Sequence, residues 1–62
     1  MKKITISSDQ FGRTHLTASS GEMTVIPAGY SLAEAQWELE AFCDELDINP
    51  SRFFSQLKEF YS

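Results

Sequence analysis

The stretch Lys3-Ile4-Thr5-Ile6-Ser7-Ser8-Asp9-Gln10-Phe11-Gly12-Arg13-Thr14-His15-Leu16-Thr17-Ala18 decides the fold class. Apolar and polar residues alternate over residues 3–8 and again over 13–18, and the β-branched residues in both runs favour strands. Between them, Asp9-Gln10-Phe11-Gly12 is turn chemistry, with Gly12 free to take a positive φ. Ser19-Ser20-Gly21 repeats the turn signal, and a third run over 22–26 ends at Pro27. Three short strands joined by tight turns predict an antiparallel meander with one face packed and one face wet. Thr14, Leu16 and Ala18 share one face of the middle strand, and Arg13, His15 and Thr17 the other. The expected core face carries Ile4, Ile6, Leu16, Ala18 and either Met23 or Val25, while Phe11 and Ile26 do not fit the alternation.

Downstream the period changes from two to that of a helix. Ser31-Leu32-Ala33-Glu34 is a capping box, in which the Ser31 hydroxyl and the Glu34 carboxylate each accept from the other residue's backbone N–H. Residues 32–46 contain no Gly or Pro, and Leu32, Ala35, Leu39, Phe42, Cys43 and Leu46 fall on one stripe. Asn49 as cap and Pro50 at the first helical position predict a second helix over 50–61. Its apolar face would carry Phe53, Phe54, Leu57, Phe60 and Tyr61. The expected architecture is therefore α+β: a three-stranded antiparallel meander followed by two α-helices packed on one face, forming a single domain over residues 1–62.

Composition narrows the function classes. The chain has 62 residues, 42% hydrophobic and 23% charged, with five Lys plus Arg against nine Asp plus Glu and a net charge of -4. That balance argues against a dedicated nucleic-acid binder. One cysteine forms no internal disulfide, which fits a reducing compartment, and a cytoplasmic location is expected. No apolar run approaches the roughly 18 residues of a membrane span. Lys2-Lys3 is followed by Ile-Thr-Ile-Ser-Ser, which is no signal-peptide core.

Acidic residues are concentrated on the first helix. Glu34, Glu38, Glu40, Asp44, Glu45 and Asp47 lie in a segment, 34–47, without Lys or Arg. On a helical wheel Glu34, Glu38 and Glu45 form one row and Glu40, Asp44 and Asp47 another, with Trp37 between them, almost opposite the apolar stripe. Like charges four apart repel by a few tenths of a kcal/mol per pair. Acids near a helix C-terminus meet the unfavourable end of its dipole at about 0.3–1 kcal/mol each. The plain alternative is a solvated helix face, with Trp37 covered and Arg52 neutralising a corner acid. An exposed Trp37 ringed by carboxylates would instead be an interface anchor.

Other candidates read as structural. Cys43, at the edge of the apolar stripe, is a small core residue rather than a nucleophile. His15 has no partners for catalysis or metal binding. Lys3, Arg13 and His15, with Lys2 nearby, make a mildly basic sheet face of ordinary strand solubility. No catalytic, cofactor or metal motif appears, and a chain of this size leaves little scaffold for a cleft flanked by carboxylates.

Small size, the Glu34-to-Asp47 acid cluster and the lack of catalytic residues make the chain similar, as a type, to the small acidic phage-encoded anti-CRISPR proteins. That resemblance implies a non-enzymatic inhibitor that occludes or mimics a nucleic-acid-binding site in the host cytoplasm. The partner would be a basic surface of a larger protein or nucleoprotein complex. Glu34, Trp37, Glu38, Glu40, Asp44, Glu45 and Asp47 are its expected partner-binding residues, with no direct nucleic-acid contact and no membrane. The alternatives are an oligomerising regulatory subunit, homodimeric through the aromatic last helix, and a nucleic-acid regulator using the sheet face.

Overall fold

A computed structural model describes residues 3–61; Met1, Lys2 and Ser62 lie outside the described residues. Strands β1 (Ile4–Ser8), β2 (Thr14–Ala18) and β3 (Met23–Ile26) precede helix α1 (Leu32–Leu46), a 3₁₀ turn (Pro50–Arg52) and helix α2 (Phe54–Phe60). The sheet is an antiparallel meander in the order β1-β2-β3, and the fold is α+β.

Both hairpins use the same device. Asp9 N–H donates to the Arg13 carbonyl at 3.0 Å and Gly12 N–H to the Asp9 carbonyl at 3.3 Å. In the second hairpin Ala18 N–H donates to Glu22 at 2.8 Å, and Gly21 N–H to Ala18 at 2.9 Å. Each is a three-residue loop whose last residue is left-handed, which glycine alone adopts without steric cost: Gly12 has φ +82° and Gly21 φ +106°.

That loop length sets the register of β3 and corrects the expected core. Thr14 faces Ile26 and Leu16 faces Thr24, so Thr24 and Ile26 share the inward parity. Ile26 is fully buried, whereas Met23 and Val25 are 63% and 39% exposed on the outer face. The other expected sheet residues, Ile4, Ile6, Leu16 and Ala18, are all buried. Thr14 is buried with them, and its hydroxyl pairs with the Tyr61 hydroxyl at 3.0 Å, tying the end of the chain to the middle strand.

Helix α1 has the predicted bounds. Ser31 caps it, and both halves of the capping box form. Ala35, Leu39, Phe42, Cys43 and Leu46 are buried, while Leu32 is half-buried. At its far end Asp47 is left-handed (φ 57°, ψ 45°). Asp47 N–H donates to the Asp44 carbonyl at 3.3 Å and Ile48 N–H to that of Cys43 at 2.9 Å. This is a Schellman termination built on aspartate instead of glycine.

The second helix is not continuous over 50–61. The Asn49 carboxamide accepts from Ser51 N–H, and the turn from Pro50 winds as 3₁₀, faster than an α-helix. Phe53, at its end, is turned into the core, and α2 restarts at Phe54 with only Leu57 buried within it. Phe54 and Tyr61 pack partly against the core, but Phe60 is 42% exposed.

Leu39, Leu16, Ile4, Ile26 and Leu57 are fully buried, and burial stabilises each by about 1.5–3 kcal/mol. Truncation of Leu39 to alanine at the centre of this layer is expected to cost about 2–5 kcal/mol. At roughly 0.05–0.15 kcal/mol per residue that is a large share of total stability, and urea titration should show a sharply lowered midpoint for Leu39→Ala. Asp47→Gly should raise the unfolding free energy by about 0.5–1 kcal/mol, read as a higher urea midpoint, because glycine relieves the left-handed strain.

Candidate functional site

The capped ends of α1 engage two of the seven expected site residues in holding the helix. The Glu34 carboxylate accepts from Ser31 N–H at 2.9 Å, and Ser31 Oγ accepts from Glu34 N–H at 3.2 Å. The Ser31 backbone N–H, and then its hydroxyl, hold the Glu34 carboxyl below the usual range. Asp47 occupies the left-handed termination. Both belong to the helix ends first.

Glu38, Glu40, Asp44 and Glu45 form no ion pair with any described residue. Trp37 stands among them and is 77% exposed. Four residues on, Ala41 is small and exposed, so the indole is not covered by its helical neighbour. Trp37, Ala41, Ile48 and Pro50 line a shallow groove between α1 and the 3₁₀ turn, and Glu40 and Asp44 edge it. The two acidic rows thus part company. Glu40 and Asp44 border the groove under Trp37, whereas Glu45 turns to the flank of α1 nearest β3, with Glu38 on the ridge between the two.

The basic residues are arranged differently. Asp9 Oδ1 accepts from the backbone N–H groups of Phe11 at 2.9 Å and Arg13 at 3.0 Å. Its Oδ2 pairs with Arg13 Nε and His15 Nε2, each at 2.8 Å. The His15 bond above all, with the Arg13 and Phe11 donors, holds the Asp9 carboxyl far below its usual range despite partial desolvation. The Arg13 guanidinium also stands over the Phe11 ring, 5.3 Å from its centroid. The mildly basic sheet face is therefore largely paired off within the first hairpin. Aspartate at the head of a three-residue loop is the signal for its backbone bonds; the link to His15 needs the strand pairing and is not visible in the chain order.

Cys43 lies in the core, and burial pushes its thiol pKa up, the opposite of an activated nucleophile. Among the described residues no group of three or more His, Cys, Asp or Glu side chains is placed to hold a metal ion. Among the same residues no helix is long and apolar enough to cross a membrane. The chain is a small α+β domain, a meander with two helices and one markedly acidic helix face. No protein-family model matches it, and neither a curated protein nor a solved structure shows significant similarity to it.

Because the folded-state pKa of Asp9 is depressed, its contribution to stability is present above the ordinary carboxylate pKa of about 3.9 and is lost as pH falls below it. Urea midpoints of wild type and Asp9→Asn should therefore differ at pH 6 and converge as the pH is taken from about 4 towards 2.

Proposed function

We propose that this protein is a non-catalytic binder that occludes a basic site on a larger protein or nucleoprotein complex, in the manner of the anti-CRISPR inhibitors it resembles. The observation that carries this reading is Trp37, 77% exposed on a helix held at both ends and set among carboxylates without internal partners. A large exposed aromatic supplies contact area at little entropic cost, and tryptophan is enriched at binding hot spots. Glu40 and Asp44 are one helical turn apart, a spacing of about 5–6 Å between Cβ atoms. That is on the scale of charge separation along a nucleic-acid backbone, so such a row suits a Lys/Arg groove that normally tracks phosphates. Its field would steer encounter and exclude acidic partners.

The homodimer reading has less support. Phe53 and Leu57 are taken up by the core, Phe54 and Tyr61 are partly so, and Phe60 is left as the exposed aromatic of that face.

The reading is tested by capturing partners from the source cells on immobilised protein at about 0.1 M and then at about 0.5 M salt, where surface charges are more strongly screened. The captured protein's nucleic-acid binding is then measured against added wild type, Trp37→Ala and Asp44→Lys. Wild type should displace the nucleic acid, and each variant should compete at least about 10-fold less well, equivalent to about 1.4 kcal/mol. Both positions are exposed, so the unfolding free energies of the variants from urea titration should stay within about 0.5 kcal/mol of wild type. Capture indifferent to salt and to both variants would remove the proposal.

A further inference from the structure

The sheet has a second feature that does not involve Trp37. β3 is an edge strand, and the phase of its hydrogen bonds follows from the Ala18 N–H to Glu22 carbonyl bond at 2.8 Å. In an antiparallel pair, bonded positions recur every second residue, so Glu22, Thr24 and Ile26 direct their main-chain groups at β2. The N–H and C=O groups of Met23 and Val25 point out of the sheet, and no hydrogen bond from a described residue reaches them. Natural edges are usually blunted by an inward charge, lysine, proline, a bulge or a covering element. Met23-Thr24-Val25-Ile26 contains no charged residue or proline; Glu22 and Pro27 only flank it.

The side chains beside this edge are of two kinds. On the outer face, Met23 and Val25 are exposed apolar groups. On the helix side, Glu22, Met23, Thr24, Ala41 and Phe42 line a groove whose α1 wall carries Glu38 and Glu45. A strand added here would place alternate residues over Met23 and Val25, and the intervening ones against the two carboxylates. We propose that the β3 edge takes an extended segment of another protein, with basic and apolar residues in alternation, as a fourth strand. The charges select this occupant over a second copy of the chain. Two-fold pairing of β3 with β3 would bring the same carboxylates of two molecules, each of net charge -4, toward one another across the new pair. Main-chain bonds would supply the docking and the alternating side chains the selectivity, as in strand addition generally.

The test is an NMR titration of the ¹⁵N-labelled chain with a short acetylated peptide of alternating lysine and valine. The Met23 and Val25 amide protons should shift downfield and gain protection from exchange, with the Trp37 indole N–H unmoved. Glu38→Gln/Glu45→Gln should weaken binding at least about fivefold, and Trp37→Ala should leave it unchanged, which separates this surface from the groove under the indole. The proposal is overturned by equal binding of a backbone N-methylated peptide or of an alternating glutamate–valine peptide, or by shifts confined to Trp37. Concentration-dependent protection of Met23 and Val25 without peptide would assign the edge to a second copy instead, and the absence of binding at millimolar peptide would also overturn it.

Discussion

A single apolar layer holds this molecule together. Ile4, Leu16 and Ile26 enter it from the sheet, Ala35, Leu39 and Cys43 from α1, and Phe53 and Leu57 from the end of the chain. A chain of 62 residues has too little interior for a second layer. The outer face of the sheet and the outer face of α1 are consequently released from packing. What stands on them is not constrained by the core, and Trp37, Met23 and Val25 are apolar groups that the layer does not account for.

The two outer faces treat charge in opposite ways. On the first hairpin, one carboxylate gathers two basic side chains and two backbone donors, leaving little net field. On α1, carboxylates stand along one helix face with no base between them. Hydration and salt screening keep the cost of such a face small, at a few tenths of a kcal/mol per like pair. The helix is secured by other means, namely the Ser31–Glu34 box, the Schellman termination at Asp47 and the buried stripe. Its acidic face is therefore compatible with the fold but is not required by it.

The strongest readings from the chain alone were those with local causes. A four-residue capping box and an uninterrupted helical period placed α1 at Leu32–Leu46, and turn chemistry placed the three strands within a residue of where they lie. The inward parity of β3 was legible in principle. A serine-serine-glycine loop implies the three-residue hairpin that turns Ile26 inward, but alternation within a four-residue strand is equally satisfied by the opposite face. The interruption at Phe53 was not legible, because Asn49-Pro50 begins an α-helix and a 3₁₀ turn alike, and burial of Phe53 decides between them.

By itself, then, the amino-acid order determined the kind and succession of the elements, both ends of the long helix and the presence of an acidic face. All of these depend on residues within about one helical turn or one hairpin of each other. Tertiary structure decided which side of β3 is buried, that Trp37 stays in water, and that Glu40 and Asp44 border one groove while Glu45 borders another. Each of these depends on where a second element comes to lie. In so small a domain a rotation of one helix, or a slip of one strand by one residue, would exchange a buried face for an exposed one.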